Sequence, residues 1–345
     1  MIHEALPLLD HALSPLDRFR ADPDVEDILM QRPNEAFVRR GAAVTCHDVP
    51  LDALDQEGIA ILAASLKQQN VGRTRPLLSC DLPGGTRLQA VLPPCVRDGT
   101  VALAIRRSKS VAPTLDEVGA SGLFAEIGPS VNGLCDTERR LVRLYRDATH
   151  ATGPGQRQGA WMAFLRAVMR AEMTVVLCGK VGSGKTHLSM ALATEIPPGD
   201  RLVTIQDADE WSALPHPNRV DLFYSKGGQG AAQVTPNDLV ECSLRLAMRW
   251  LLLQELRGAE AFGFMRARRS GHPGLTSCHA DSPQAAFPAL ALMVKQHPAA
   301  TGMGLDVIEA SLRSLIDIVV HFHRPDGRFR VSGAWFGAAE RAGAA

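Results

Sequence analysis

The chain has 345 residues, of which 46% are hydrophobic and 21% charged, proportions typical of a soluble globular protein large enough for two domains. Basic and acidic residues balance at 37 each, which argues against the broad basic surface of a general nucleic-acid-binding protein. The 7 cysteines include no CxxC pair, and the chain shows neither a secretory signal nor an apolar run of the ~20 residues that a membrane span needs. The composition therefore predicts a cytoplasmic protein.

The first third of the chain mixes short helices and strands. The segment DVEDILMQ, residues 24–31, predicts a helix, and the apolar spacing of residues 52–69 predicts a second one. The segment TRLQAVLPPCVRDGTVALAIRR, residues 86–107, predicts two antiparallel strands separated by a turn region rich in proline and glycine. We expect a small N-terminal α+β domain over residues 1–108.

Residues 109–158 are rich in Pro, Gly, Ser and charge, and they predict a linker that carries one helix near TERRLVRLYRDA. Strand-like and helix-like segments then alternate over residues 159–345, which predicts an α/β domain with a mostly parallel sheet and helices on both faces. Pro288 lies inside a helix expected from residue 282 to residue 297, where a proline would kink it. The last two strands, IDIVVHFH and RFRVSGAWF, are expected to form a pair across RPDG.

Residues 179–186, GKVGSGKT, satisfy the pattern GxxxxGK[ST] of a phosphate-binding loop. The glycines let several backbone N–H groups turn toward one anion, and the positive end of the helix beginning near Lys185 adds to the attraction. We expect Lys185 to reach the β- and γ-phosphates of a nucleotide and Thr186 to hold Mg²⁺. The residues expected to contact the nucleotide here are Gly179, Lys180, Val181, Gly182, Ser183, Gly184, Lys185, Thr186 and His187.

Two acidic segments follow predicted strands. LVTIQDADE brings Asp207, Asp209 and Glu210 to a strand end, and WLLLQELRG brings Glu255 and then Arg257 to another. Because parallel strands end at one edge of a sheet, these carboxylates are expected near the phosphates, where one can hold the Mg²⁺ shell or orient water. For Asp209 a solvated loop position is the simpler interpretation.

A third segment, SGHPGLTSCHA, contains His272 and His279. A zinc site with Cys278 is disfavoured, because neighbouring residues of a strand point to opposite faces. A polar sensor of the γ-phosphate fits His279 better, and a structural role remains open for both histidines.

In this order, the phosphate loop, the acidic segment, Glu255 and the histidine segment resemble the hexameric secretion ATPases, and most closely those of type IV secretion. EIPPGDRLVTIQDADE, LLLQELRGAEAF and SGHPGLTSCHA look like that branch, as do RPNEAFV, PLLSCDLPGGTRLQAVLPP and AIRR in the first third. The resemblance implies an N-terminal domain, a linker and a RecA-like C-terminal domain, with nucleotide between the domains. It also implies that an N-domain arginine reaches the phosphates: Arg106, with Arg87 as the weaker candidate.

The same resemblance implies ATP and Mg²⁺ as cofactors, with the metal held by Thr186 and, through water, by Glu255. It implies a homohexamer that works with inner-membrane and other ATPase components of a type IV secretion system, with peripheral membrane contact at most and no stable nucleic-acid binding. Residues expected to act in hydrolysis are Lys185, Glu255, Gln206, Asp207, Glu210, His279 and Arg257.

The sequence departs from the family pattern at two places. Gln206 stands where relatives carry glutamate, and Ala247, Met248 and Arg249 replace Arg-Pro-Asp. Glutamine can orient water but cannot accept a proton, and loss of a general base costs about 10²–10⁴ in rate. The sequence therefore leaves open a slow or non-hydrolysing assembly component, in which Gln206→Glu would raise turnover if Gln206 faces the attacking water.

Two other classes of protein remain as alternatives to a secretion motor. RARRS, residues 266–270, offers local positive charge for a nucleic-acid motor, which stimulation of ATP turnover by single-stranded DNA would reveal. A small-molecule kinase is the weakest alternative, because it gives the first third of the chain no role.

Overall fold

The structure is a computed structural model, and it describes residues 2–82, 85–107, 112–125, 128, 133–226, 230–324 and 327–343. It contains two sheets, one of six strands before residue 108 and one of seven strands after residue 174. The mixed architecture agrees with the predicted fold class, an N-terminal α+β domain followed by a P-loop domain with a mostly parallel sheet.

The N-terminal sheet is antiparallel throughout and has the order β3-β2-β1-β6-β5-β4. Its strands are Asp27–Met30 (β1), Glu35–Arg40 (β2), Ala43–Asp48 (β3), Leu77–Leu82 (β4), Thr86–Val91 (β5) and Ala102–Arg107 (β6). The expected antiparallel pairing within residues 86–107 is confirmed as the pair of β5 and β6.

The helix predicted over residues 24–31 is wrong, because Asp27–Met30 is the fully buried central strand β1. It pairs with β2 on one side and with β6 on the other. A short apolar run that is buried on both faces has no alternation to distinguish it from a helix, so tertiary pairing decides its conformation.

Helices cover one face of this sheet: Ile2–Leu13 (α1), Asp17–Arg20 (α2) and Ala53–Leu66 (α3). The predicted helix over residues 52–69 is thus confirmed, and it begins with a capping box between Asp52 and Asp55. Successive side chains of β6 point to opposite faces of the sheet. Leu103 and Ile105 pack with these helices, whereas the small side chains of Ala102 and Ala104 join the core of the second domain.

The C-terminal sheet has the order β13-β12-β7-β11-β10-β8-β9, and only β13 runs antiparallel to its neighbour. Its strands are Val175–Gly179 (β7), Leu202–Gln206 (β8), Arg219–Phe223 (β9), Trp250–Leu253 (β10), Gly274–Cys278 (β11), Ile318–His323 (β12) and Arg330–Phe336 (β13). The inner strands β7, β8, β10 and β11 are buried at every residue, as expected for a parallel sheet covered on both faces.

The remaining helices are Leu115–Ala120 (α4), Asp136–His150 (α5), Pro154–Arg170 (α6), Lys185–Ala193 (α7), Pro236–Ser243 (α8), Glu260–Arg269 (α9), Ala286–Lys295 (α10), Leu305–Leu315 (α11) and Gly337–Arg341 (α12). The kink expected at Pro288 is wrong, because α10 begins only at Ala286. Pro288 lies in its first turn, where the missing N–H removes no intrahelical hydrogen bond.

The predicted linker contains two different kinds of helix. α4 buries none of its residues, whereas α5 buries Leu141 and Val142 against Phe164 and Val168 of α6. α5 therefore packs as part of the C-terminal domain. The boundaries 1–108, 109–158 and 159–345 stay predictions. Part of the linker, including residues 108–111 and 129–132, lies outside the described residues.

The two domains contact each other along the edge strand β9 and the helix α8. The backbone N–H of Phe223 donates to the carbonyl of Cys95 at 2.9 Å, and Gln89 Nε2 lies 3.2 Å from Cys242 Sγ. Since the core around Ala102 and Ala104 is continuous with that of the C-terminal domain, the N-terminal sheet is buried on this face as well. No helix in the described part of the chain is both long enough and apolar enough to cross a membrane.

Candidate nucleotide site

The loop between β7 and α7 has the backbone geometry of a phosphate cradle. Gly179, Gly182 and Gly184 have φ of +143°, +69° and +97°, in the region that favours glycine. A Cβ on Gly179 would lie 2.5 Å from the carbonyl oxygen of Phe322, so that turn excludes any side chain. α7 begins at Lys185, directly after Gly184, and its positive end faces the loop.

Lys185 lies folded over this loop. Its Nζ donates to the carbonyl oxygens of Gly179 at 2.7 Å and of Lys180 at 3.1 Å. Burial lowers the pKa of the Lys185 ammonium, and the negative charge of Glu255 opposes that shift without cancelling it. Within the described residues the buried Ser183 Oγ has no hydrogen-bond partner, so the cradle offers both a cation and an unused hydroxyl to an anion.

His279 connects the loop with Glu255. The register that pairs Cys278 with Cys178 brings His279 beside Gly179, and its Nδ1 lies 3.0 Å from the Gly179 carbonyl oxygen. Its Nε2 lies 2.7 Å from Glu255 Oε1. Both ring nitrogens of His279 therefore lie at hydrogen-bond distance from oxygen atoms, one in the phosphate loop and one on Glu255.

Glu255 continues into a row of charged side chains at the carboxyl edge of the sheet. Its second oxygen, Oε2, accepts from Arg257, and Arg257 Nη1 lies 2.9 Å from Asp207 Oδ2. Lys226 also donates to Asp207. Burial raises the pKa of Asp207, but the hydrogen bonds from Lys226 and Arg257 outweigh burial, so the pKa of this carboxyl falls below its ordinary value. The structure thus brings together five of the predicted residues, namely Lys185, His279, Glu255, Arg257 and Asp207.

Gln206 is completely buried and has partners other than solvent. Its Oε1 accepts from the backbone N–H groups of Glu210 at 3.0 Å and Trp211 at 3.3 Å, and its Nε2 donates to Thr204 Oγ1 at 3.2 Å. In this arrangement the amide stabilises the turn after β8 and has no access to an attacking water. Glu210 lies on that turn with its side chain exposed.

Asp209 is exposed, as expected, and it also contacts the N-terminal domain. Arg97 approaches it with two nitrogens, Nη2 at 2.8 Å from Oδ2 and Nε at 3.2 Å from the same oxygen. Arg97 Nη1 also lies 2.5 Å from Asp221 Oδ2 on β9. Sequence reasoning missed Arg97, since these partners lie 112 and 124 residues further along the chain.

The structure does not bring Arg106 and Arg87 to the phosphate loop of the same chain. Both line a cavity of about 500 Å³ together with Arg245, which donates to Ser79 Oγ at 2.7 Å. Arg245 lies shortly before Arg249 in the chain. The backbone N–H of Arg249 donates to the carbonyl of Arg201, and these two residues directly precede β10 and β8, so they mark the amino ends of those strands. That edge of the sheet is opposite the one that carries the loop.

Two further sequence features lie at the same amino edge. His272 precedes β11, is half-buried, and has its pKa lowered by burial. Arg249, at the position where the family has an acidic residue, bonds Glu172, with Nε at 3.0 Å from Oε1. This departure from the family pattern is therefore remote from the phosphate loop.

The residues predicted for Mg²⁺ fit such an ion by chemistry. Thr186 is exposed in the first turn of α7, next to Lys185, and Glu255 supplies a carboxylate on the neighbouring strand end. Hydroxyl and carboxylate oxygens are the ligands that Mg²⁺ prefers, with water completing its shell. The exposed side chains of Lys180, Val181 and His187 surround the same loop.

Comparison with known proteins gives three findings. Residues 139–321 match the family described as Type II/IV secretion system protein. The Type IV secretion system protein VirB11 of Bartonella quintana is 34% identical over 337 residues, covering 97% of this chain and 94% of that protein. Protein VirB11 of Rhizobium radiobacter is 36% identical over 339 residues, covering 98% and 96%.

Among solved structures, the crystal structure of the VirB11 ATPase from the Brucella suis type IV secretion system in complex with sulphate is similar with a TM-score of 0.86. It is 34% identical in sequence, and the match covers 97% of this chain and 99% of that one. The similarity therefore includes both domains.

Proposed function

The chain belongs to the VirB11 family of type IV secretion ATPases, and on this premise we propose that it hydrolyses ATP at the loop of residues 179–186. The energy of hydrolysis would drive movement between the N- and C-terminal domains, and thereby substrate translocation or pilus assembly. The observation that carries the proposal is the bridge from the loop carbonyl of Gly179 through His279 to Glu255.

Each side chain of this bridge has a distinct task. Lys185 turns from the carbonyls of Gly179 and Lys180 to the β- and γ-phosphates. Glu255 orients the attacking water and accepts its proton, and His279 and Arg257 fix the two oxygens of Glu255. Mg²⁺, held by Thr186 and through water by Glu255, would neutralise the charge that develops on the phosphates.

The acidic turn after β8 supports this group. Asp207 holds Arg257 from the far side, at 2.9 Å, so Arg257 is fixed between two carboxylates. Glu210 and Gln206 belong to the same turn, and we assign Gln206 a positioning role, since its amide bonds the backbone of that turn. The observed bonds favour Glu255 over Gln206 as the residue that faces water.

The working form is proposed to be a cytoplasmic homohexamer at the inner membrane, in contact with other components of a type IV secretion system. Within one chain, Arg106 lies at the edge of the C-terminal sheet opposite to the phosphate loop, so it does not contact a phosphate bound at that loop. Arg106 as a phosphate contact therefore requires a second copy or a large rotation of the domain.

Phosphate release from purified protein with saturating ATP and Mg²⁺ tests the proposal. We expect Lys185→Ala to lower release to the rate of the buffer alone, because it removes the cation of the cradle, while the fold is retained. Lys67→Ala, an exposed lysine of the N-terminal domain, is the matched control and should release phosphate like the wild type. Equal release by the wild type and Lys185→Ala would instead favour a non-hydrolysing assembly component.

A further inference from the structure

Arg97 is the N-terminal domain residue with the most extensive charged contact to the nucleotide edge of the C-terminal sheet. It lies in the connection between β5 and β6, and the hydroxyl of Thr100 donates to its carbonyl at 2.7 Å. Two residues earlier, the Cys95 carbonyl accepts from the N–H of Phe223 at the end of β9. The segment around Arg97 is therefore fixed on both sides, and its guanidinium is directed at Asp209 and Asp221.

The contact is a multidentate ion pair that is exposed at Asp209 and buried at Asp221. Arg97 Nη2 lies 2.9 Å and 2.8 Å from the two oxygens of Asp209, and Nη1 contacts Asp221, whose side chain is only 5% exposed. The guanidinium also lies over the ring of Phe223, 5.5 Å from its centroid. Planar, multidentate contact of this kind is specific to arginine, and lysine cannot reproduce it.

Asp221 leads from Arg97 into the buried support of the acidic turn. Its Oδ1 accepts from Thr204 Oγ1 at 2.8 Å, and Thr204 in turn accepts from Gln206 Nε2. Gln206 Oε1 holds the N–H groups of Glu210 and Trp211. Arg97 thus supports the turn of residues 207–211 in two ways. It contacts Asp209 directly, and it contacts Asp221, which is connected to the turn through Thr204 and Gln206.

The same turn carries Asp207, which fixes Arg257 and through it Glu255. We propose that Arg97 is a positioning residue of the ATPase site, by which the N-terminal domain holds the acidic turn and so keeps Glu255 aligned. Movement of the N-terminal domain would break the contact and release the turn. This inference rests on the proposed function, and it identifies Arg97 as the residue that couples movement of the N-terminal domain to the ATPase site.

The test compares Arg97→Ala with Arg73→Ala. Arg73 pairs with Asp98, the neighbour of Arg97, at 3.1 Å, but the side chains of Arg73 and Asp98 are both largely exposed, so Arg73→Ala is the matched control. We expect Arg97→Ala to lower kcat about tenfold, a typical size for coupling between sites, and to leave the Kd for a fluorescent ATP analogue within about twofold. Arg73→Ala should change neither quantity.

Two more variants separate positioning from general loss of stability. Arg97→Lys should recover part of kcat, because it restores the charge without the planar contact. Asp209→Ala should lower kcat less than Arg97→Ala, because it leaves the pair of Arg97 with Asp221 intact, and the double variant should fall no further than Arg97→Ala, because Asp209 acts through Arg97. A kcat of Arg97→Ala within about twofold of wild type, or additive losses in the double variant, would overturn the inference.

Hydrogen exchange keeps the inference testable if the wild type releases no phosphate, an outcome that would refute the proposed function alone. The backbone N–H groups of Glu210 and Trp211 should then exchange faster in Arg97→Ala than in Arg73→Ala. Equal exchange in the two variants would refute the positioning role, whatever the activity of the protein.

Discussion

The two domains meet through an arginine at each edge of the C-terminal sheet, and the two contacts differ in chemistry. At the nucleotide edge, Arg97 of the N-terminal domain binds the carboxylates of Asp209 and Asp221 and remains partly exposed. At the amino edge, Arg201 of the C-terminal domain is completely buried and donates to neutral groups, among them Gln31 at 3.0 Å and the Leu246 carbonyl at 2.6 Å.

The pKa values of the two arginines reflect this difference. Burial lowers the pKa of Arg97, but Asp209 and Asp221 outweigh it, so the net pKa lies above the ordinary value. Burial lowers the pKa of Arg201 to about 9, and the charge of Asp27 opposes this only partly. The exposed pair of Arg97 with Asp209 can open at little cost, whereas a buried cation held by neutral acceptors cannot. We therefore expect the amino-edge contact to hold the domains together and the nucleotide-edge contact to respond to ATP.

The largest effect on stability is expected at the amino edge. Asn218 Oδ1 accepts from Arg201 and, at 3.3 Å, from Gln31, so Asn218→Ala leaves a buried cation without one of its acceptors. We predict a loss of about 2–4 kcal/mol in the free energy of unfolding, measured by urea denaturation. Asp209→Ala at the nucleotide edge, by contrast, should cost less than about 1 kcal/mol. Equal losses of unfolding free energy in Asn218→Ala and Asp209→Ala would contradict the expected difference between the two contacts.

A smaller effect is expected at Gln206, which supports the nucleotide edge from inside. Gln206→Glu adds a negative charge to a completely buried position near Asp221, and the new carboxylate cannot donate to Thr204 Oγ1. We predict a loss of about 1–3 kcal/mol in the free energy of unfolding and no gain in phosphate release. This reverses the expectation from the sequence. A rise in turnover would show that residue 206 reaches the attacking water after all.

Local sequence patterns predicted those parts of the site whose residues belong to one short, recognisable segment. The phosphate loop, Glu255 and His279 each follow a buried strand directly, and the parallel register then brings the strand ends together. Contacts between distant segments left no such signal. Arg97 looked like a residue of a turn, and its partners follow more than 100 residues later. The strand β1 was missed for a different reason, because it is buried on both faces and so lacks the alternation that distinguishes a strand from a helix.

The orientation of Gln206 could not be predicted either. The resemblance to the secretion ATPases implied a family glutamate position for this residue, which suggested contact with water. The structure shows that its amide fits the neutral donors and acceptors of the turn, a match that becomes visible only when Thr204, Glu210 and Trp211 are in place. A family position therefore does not by itself fix a residue's role when the side-chain chemistry has changed.

We propose that Glu255, held by His279 and Arg257 beside the phosphate loop, performs the hydrolytic step, and phosphate release by Glu255→Gln tests this role. Glu241→Gln is the matched control, since Glu241 lies on α8 and pairs with Arg266 at 3.0 Å. We predict that Glu255→Gln binds a fluorescent ATP analogue like the wild type and releases phosphate more slowly by a factor of about 10² or more. Release within about twofold of the wild type would contradict it.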